Sequence, residues 1–488
     1  MSDLDDDTDP KPKGRGCFKG CLKSVLILVG ILALVVWGGR SAFRRAGERQ
    51  LQGVVRQLDA EQPGWKLHEI EAVRTGKFPP PEESAAQLCL DIAAKVPKAF
   101  DDWGIEDSKL ATQDNGVSNH RRSEERVALL RGAADATREA RALAHTLRDR
   151  SPGGFKIDHL DNPWATLLPH CQEVRKVASL LQYDALLASA TGNPDGAVRA
   201  ARCGLVAART MADEPYLISQ LVRMACSNIA GSSAIQAMAW GEPTTGLAEL
   251  QAGLWAEAEA PILLNGLLGE RASAHKFFDN IETGKLSIDD VFKMMDGRTP
   301  DFWKLGGMRL YKAMVPGDHA ECLRVFNAYI AAAKMPAHEQ LAAFKAIPLP
   351  PRPPDDFRYL LTSLFLPAID RMAEATIRNR AHMYSAAVGI AVERYRQKNG
   401  RWPANLAEIP KDILPAIPTD PYTGEPLRYQ PMPDGVAVYA AGPSDDERKR
   451  NQRRHGPVNG DGVGWRLYDR DKRGLPPKPE PVEPEIPQ

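Results

Sequence analysis

The feature that most constrains this chain is an uncharged, mostly apolar run near its N-terminus, KSVLILVGILALVVWGGR. The 16 residues between Lys23 and Arg40 carry no charge. As a helix they would be about 24 Å long, slightly less than the ~30 Å hydrocarbon core of a bilayer. A snorkelling Lys23 lengthens the apolar span, and Trp37 lies where interfacial aromatic residues occur. Residues 23–39 therefore predict a transmembrane helix.

A cleaved signal peptide is the alternative interpretation of this segment. Its apolar stretch is longer than a usual signal peptide has, and residues 39–45 form a poor cleavage motif, so we expect an uncleaved signal-anchor. Basic residues are almost evenly divided between its two sides, so their count does not set the orientation. A short N-terminal tail usually stays in the cytoplasm. We therefore expect a single-pass protein of the cytoplasmic (inner) membrane, with residues 1–22 inside and the remainder on the extracytoplasmic side.

The charge balance argues against a nucleic-acid partner. Lys and Arg number 63, as do Asp and Glu, so the chain carries no net charge that would attract a polyanion. Its seven cysteines follow neither a disulfide framework nor a zinc-binding spacing. We expect them to be mainly small buried apolar residues, and the sequence leaves open whether any of them pair.

Turn signals separate a series of helices in the middle of the chain. ATGNPDGA, ADEPYL and WGEPTTG interrupt stretches whose apolar residues recur at helical spacing. One such apolar face comprises Leu217, Ile218, Leu221, Val222 and Cys226. This pattern predicts a juxtamembrane helix over 40–64 and an α-helical domain over 65–345. The stretch LASATGNPDGAVRAARCGLVAART is typical of a tetratricopeptide-like hairpin, but no 34-residue period extends over its neighbours, so a plain helical bundle is the alternative.

A proline-rich stretch, AIPLPPRPPDD at 346–356, predicts a stiff linker before a different kind of module. A helix is expected over 371–397, with one apolar stripe formed by Ile377, Tyr384, Val388, Val392 and Tyr395. Strand-like positions follow at Leu427, Tyr429, Val436, Val438 and Tyr439, around a turn at 433–435. We expect these strands to cover the stripe, which gives an autonomously packing α+β domain over 357–470. A disordered Pro/Glu tail over 471–488 is expected after it.

The motifs AVERYRQKNGRWPANLAEI, PTDPYTGEPLRYQ and VAVYAAGP make this module resemble the globular domain of type II secretion pseudopilins. The resemblance implies a pilin-like α+β fold, but the long apolar N-terminal half of a pilin helix is missing, which argues against filament formation. The whole layout, including PGWKLHEIEAVR and EPYLISQLVRMAC, is also similar to an uncharacterised family of bacterial single-pass membrane-anchored proteins. That similarity implies an architecture and no activity.

The sequence contains no recognisable catalytic or cofactor-binding constellation. His338-Glu339 begins like a zincin motif but lacks the second histidine, and His159 and His170 have no ligand at a typical spacing. By the pseudopilin resemblance, the weak calcium candidates are Asp445, Asp446, Asn459 and Asp461. The basic run among them repels cations. Its residues are instead candidates for contact with an anionic surface, namely Arg448, Lys449, Arg450, Arg453 and Arg454.

These features predict a mainly α, membrane-anchored, non-enzymatic scaffold or protein-interaction protein of the bacterial envelope, in a secretion-related assembly. Its expected partners are the membrane, through 23–39, and envelope proteins, and no cofactor is expected. Two alternatives stay open: an envelope enzyme such as a hydrolase, and a binder of cell-wall or other anionic polymer. A deep polar pocket with convergent histidines and carboxylates would favour the enzyme. A flat basic face would favour the polymer binder, and grooves lined by apolar residues would favour the scaffold.

Overall fold

The protein is mainly helical, with one small antiparallel sheet near the C-terminus. The computed structural model describes residues 15–100, 119–289, 311–351, 356–366, 369–442 and 463–477. The helices are α1 (Arg15–Glu61), α2 (Leu67–Thr75), α3 (Ala85–Lys95), α4 (Glu124–Ala136), α5 (Arg138–Ala144), α6 (Pro169–Ala190), α7 (Pro194–Arg209), α8 (Leu217–Trp240), α9 (Leu247–Glu259), α10 (Ile262–Glu282), α11 (Val315–Ala333), α12 (Ala337–Lys345), α13 (Leu360–Phe365) and α14 (Ile369–Asn399). The strands are β1 (Arg428–Met432), β2 (Gly435–Ala440) and β3 (Val463–Tyr468).

Helix α1 runs without a break from the predicted anchor into the predicted juxtamembrane helix. Its C-terminal end is held by packing, because Leu58 is buried in a small cluster with Trp65 and Leu323 of α11. Close contact with α11 also requires glycine, since a Cβ on Gly47 would lie 2.6 Å from the backbone nitrogen of Gly317. Among the described residues, no helix combines the length and apolar character needed to cross a membrane.

The turn signals in the middle of the chain separate helices as predicted. Residues 191–193 connect α6 to α7, 210–216 connect α7 to α8, and 241–246 connect α8 to α9. The apolar face predicted at the start of α8 is only partly correct, because Ile218 and Leu221 are 55% and 40% exposed. The helix turns a polar side inward instead, where Arg223 and the carboxylate of Glu257 form a buried pair at 2.8 and 2.9 Å.

The predicted C-terminal helix and hairpin are present. Helix α14 buries the stripe, with Ile377, Val388 and Val392 wholly inaccessible to solvent. Strands β1 and β2 pair through a two-residue loop, because Met432 lies opposite Gly435. A third strand, β3, was not predicted; it pairs antiparallel with β2, so the sheet order is β1-β2-β3.

The expectation that this α+β module packs autonomously is wrong. One continuous hydrophobic core contains residues of α6 to α9 together with α14, β2 and β3. The physical reason lies in the helix: every residue over 385–393 is buried, so buried positions surround α14 on all sides and the sheet covers only part of them. The helical body covers the rest, and Gln251 of α9 reinforces the contact by donating to the carbonyl oxygen of Ile413 at 2.7 Å.

Several predicted features lie outside the described residues. These are the cytoplasmic tail up to residue 14, most of the Pro/Glu tail, and the loop that carries the calcium and anionic-surface candidates. The predicted domain boundaries stay a prediction. Of the cysteines whose side chains are described, all are buried and free, namely Cys89, Cys171, Cys203, Cys226 and Cys322.

Candidate functional site

A polar pocket of about 310 Å³ opens where the end of α6 meets the start of α7. Helix α5 and the 3₁₀ turn that follows it, His145–Asp149, form its other side. The polar residues that define its chemistry are Arg141, His145, Arg148, Asp184, Asn193 and Arg199. It therefore collects side chains from four elements of the helical body.

Local capping sets the shape of the α6–α7 turn beside the pocket. Asn193 is the N-cap of α7, and its Oδ1 accepts a hydrogen bond from the backbone N–H of Gly196 at 2.9 Å. At the end of α6, the Thr191 hydroxyl donates to the carbonyl oxygen of Leu187 at 2.8 Å. These bonds satisfy backbone and side-chain groups at the turn, and they place the α7 N-terminus, with its positive end of the helix dipole, at the pocket.

Asp184 is the only carboxylate among the described residues of the pocket lining, and two basic groups hold it. Arg141 Nε donates to Oδ1 at 2.8 Å, and His145 Nε2 lies 2.7 Å from Oδ2. Asp184 is largely buried, whereas His145 and Arg141 keep about a third or less of their side chains exposed. Arg141 is fixed further by a hydrogen bond to the carbonyl oxygen of Ala134 at 3.0 Å.

This pairing keeps both partners charged at neutral pH. The hydrogen bond to Asp184 raises the pKa of His145 to about 9. Burial alone would raise the pKa of Asp184, but hydrogen bonding to His145 and the charge of Arg141 lower it overall. The pocket therefore presents three arginines and an imidazolium against one carboxylate, which leaves a local excess of positive charge.

Two of these arginines, Arg148 and Arg199, are not neutralised by a buried carboxylate among the described residues. Among the described residues, Arg199 has neither a hydrogen bond nor an ion pair, and the one ion pair of Arg148 is with the exposed Asp149 at 3.5 Å. Guanidinium groups bind carboxylates and phosphates through paired, charge-assisted hydrogen bonds. The pocket is therefore suited to an anionic group.

The same geometry does not favour catalysis. A polar pocket with histidine and carboxylate was the feature expected of an enzyme. Here, however, His145 is paired to Asp184 and protonated, so it is not a free general base at neutral pH. The one hydroxyl that the described lining residues supply, on Thr191, donates to the helix backbone instead of to a base.

The sequence did not identify this pocket. The histidines it singled out lie elsewhere: His338 is a partly exposed residue 3.5 Å from Glu339, and His159 Nδ1 lies 2.7 Å from the Tyr216 hydroxyl. The available signal was the arginine-rich stretch REARALAHTLRDR followed by the capped turn of α7. That signal indicates a basic surface, but it does not show which of these arginines meet.

Comparison with known proteins identifies no relative of this chain. No protein-family model matches it, and no curated protein or solved structure does so. The class of protein is therefore defined by fold and site alone: a helical protein with a small antiparallel sheet packed into its core and a cationic pocket between α5, α6 and α7.

Proposed function

We propose that this protein is a membrane-anchored, non-enzymatic interaction protein of the bacterial envelope that holds an acidic segment of a partner protein in its cationic pocket. The observation that carries the proposal is the excess of basic side chains around Asp184, with Arg199 free of any anion among the described residues. The pseudopilin-like motifs suggest that this partner belongs to a secretion-related assembly.

An acidic segment fits the pocket better than an apolar one. Each charge-assisted hydrogen bond from an arginine contributes about 1.5–3 kcal/mol when its partner is an anion. The pocket is also open to solvent, so carboxylates projecting from an extended chain can enter it, whereas its volume is at the lower limit for an enclosed small molecule.

Binding is tested with a fluorescein-labelled hexaglutamate peptide and the full-length protein in detergent, by fluorescence anisotropy at low salt. Arg199→Gln is expected to weaken binding roughly 10-fold to 100-fold, the equivalent of one lost charge-assisted contact. Arg202→Gln is the matched control, because Arg202 lies on the same helix but outside the pocket lining, and its affinity should stay within about twofold of the wild type.

Equal losses in the two variants would contradict the proposal, because they would show that overall charge and not the pocket determines binding. Competition by inorganic phosphate at equal concentration, with no preference for the peptide, would point to a free anion as the ligand. Truncation before α14 is not a suitable test, because that helix lies in the shared core.

Membrane attachment through α1 is the second part of the proposal. Its support is a set of apolar side chains on α1 that are more than half exposed in the described part of the chain, namely Ile27, Leu28, Ile31, Leu34 and Trp37. In the sequence, Lys23 and Arg40 flank this apolar stretch, as basic residues commonly do beside a membrane-spanning segment.

Full-length protein is expected to stay in the membrane pellet after an alkaline carbonate wash, whereas a variant lacking residues 15–39 moves to the soluble fraction. Protease added to spheroplasts should then digest the chain beyond residue 40 without lysis if the bulk lies outside. Complete extraction of the full-length chain by carbonate would contradict the anchor, and protection from protease would reverse the orientation.

A further inference from the structure

A second cluster of polar side chains lies at the opposite end of α6, buried and separate from the cationic pocket. His170 and Cys171 are in the first turn of α6, and Glu214 is on the loop between α7 and α8. One ligand atom from each, an imidazole nitrogen, the thiol sulfur and a carboxylate oxygen, lies within 4.8 Å of the other two. All three residues are buried, and Glu214 is wholly inaccessible.

The Glu214 carboxylate is not fully satisfied by its protein neighbours. Oε2 lies 3.0 Å from His170 Nε2 and shares its single proton. Oε1 lies 2.8 Å from the same nitrogen, yet no hydrogen bond reaches it within the described part of the chain. A buried carboxylate oxygen without a hydrogen-bond donor costs about 1–3 kcal/mol. The position of Glu214 Oε1 is therefore unusual unless a cation binds to it.

The surrounding residues hold the three side chains in place. Gln220 donates to the carbonyl oxygens of Met211 and Glu214, at 3.1 and 3.0 Å, which fixes the loop that carries the carboxylate. The Ser219 hydroxyl lies 3.5 Å from Cys171 Sγ, and the Phe155 ring stacks on His170 with centroids 4.4 Å apart.

We propose that His170, Cys171 and Glu214 form a binding site for one zinc ion, with a fourth coordination position left for water or another small ligand. Nitrogen, sulfur and carboxylate oxygen are the atoms that bind zinc in proteins. With bonds of roughly 2.0–2.3 Å, the ligand atoms of a tetrahedral site lie about 3.3–3.6 Å apart. The Glu214 oxygens, 2.8 and 3.0 Å from His170 Nε2, would move slightly away from it, and Cys171 Sγ already lies within 4.8 Å of the other two ligand atoms.

The location also suits the charges involved. Cys171 binds as a thiolate, and the first turn of a 22-residue helix stabilises a negative sulfur through the helix dipole. The dication replaces the proton between His170 and Glu214 and the proton of the thiol, so the buried cluster gains no net charge. Zinc would thereby join the start of α6 to the α7–α8 loop.

The inference is independent of the proposed function, because His170 and Asp184 lie 14 residues apart on α6, about 21 Å along the helix. The full-length protein is treated with a chelator, dialysed and titrated with Co²⁺, a zinc substitute with a visible spectrum. We expect one equivalent to bind and to give a thiolate-to-cobalt charge-transfer band that Zn²⁺ removes. The band reports a Cys–metal bond, which a purely structural cluster does not form.

Cys171→Ala is expected to abolish the band, and Glu214→Gln to weaken Co²⁺ binding at least roughly tenfold. Cys322→Ala is the matched control, a buried free cysteine in a different core, and it should keep the full signal. The inference is overturned if the wild type binds much less than one equivalent, or if the band persists without Cys171. The wild-type titration decides the question even if a variant fails to fold.

Discussion

Replacing Glu393 by glutamine is expected to lower the free energy of unfolding by about 3–5 kcal/mol, one of the two largest effects we predict for this protein. Glu393 is wholly buried in α14 and accepts five hydrogen bonds, one from Gln397 Nε2 at 3.1 Å and two from each of two arginines. Arg473 reaches its two oxygens at 2.9 and 2.7 Å, and Arg396 at 2.8 and 3.0 Å. Without the carboxylate, the buried guanidinium of Arg473 loses its counter-ion.

This network also explains how the segment after β3 is held. Arg473 donates to the carbonyl oxygens of Tyr468, at the end of β3, and Gly241, after α8, at 2.8 and 3.0 Å. One arginine therefore connects the sheet, the helical body and α14. Loss of the Glu393 charge should weaken the contacts of Arg473 with the sheet, the helical body and α14 together. The expected effect is large for this reason.

The same pair predicts a pH dependence. Burial opposes ionisation of Glu393, but hydrogen bonds from Arg396 and Arg473 lower its pKa to about 2 from an ordinary value of 4.5. Because the folded pKa is depressed, the carboxylate contributes its stability above about pH 4.5. That contribution, on the order of 3 kcal/mol, is lost as pH falls towards 2.

Urea unfolding of the full-length chain in detergent, followed by circular dichroism between pH 7 and pH 2, measures both effects. The difference between wild type and Glu393→Gln should be largest at neutral pH and shrink as the solution is acidified. Glu374→Gln is the control on the same helix, because Glu374 has no ion pair among the described residues and should differ little from wild type. A difference that does not vary with pH would show that packing, not charge, determines the loss.

Replacing Gly269 by alanine is expected to destabilise the protein by about 3 kcal/mol or more. A Cβ at this position of α10 would lie 2.0 Å from the carbonyl oxygen of Pro215 and 2.4 Å from its Cα. Both neighbours are backbone atoms, so neither can rotate away. The α7–α8 loop would therefore have to move. Its movement is opposed at Leu217, the first residue after the loop, whose backbone N–H donates to the Glu270 carboxylate at 3.0 Å.

Gly132→Ala provides a control with the opposite sign. Gly132 lies on the exposed side of α4 with no neighbour within 4 Å of its Cβ position, so alanine should stabilise the protein by about 0.5–1 kcal/mol. Thermal unfolding of the two variants beside the wild type compares them directly. A Gly269→Ala variant as stable as the wild type would mean that the α7–α8 loop is not fixed against α10.

Several elements could be read from local sequence patterns. The helix at α14 was placed within two residues at each end, because apolar residues repeat at helical spacing up to an Asn-Gly stop. The hairpin of β1 and β2 followed from alternating residues around a short turn. Strand β3 was missed because its partner β2 is more than 20 residues away in sequence, so no short sequence pattern links the two strands.

The candidate sites were beyond such patterns. Arg141 and Arg199 lie on different helices, and His170 of α6 meets Glu214 of the α7–α8 loop. A histidine without a ligand at a familiar spacing was therefore interpreted as isolated, although its neighbour Cys171 and the distant Glu214 both reach it. Periodicity shows which side of a helix is buried, and it does not show which polar groups from other helices meet there.

The sequence by itself determined the helical class, the turns between helices and the apolar stripe of α14, because these depend on residues close together in the chain. Tertiary structure alone decided that α14 is enclosed by both the sheet and the helical body, that Glu393 meets Arg473, and that basic residues surround Asp184. Those contacts join distant segments, and their energies depend on burial and on the pairing of charges within one shared core.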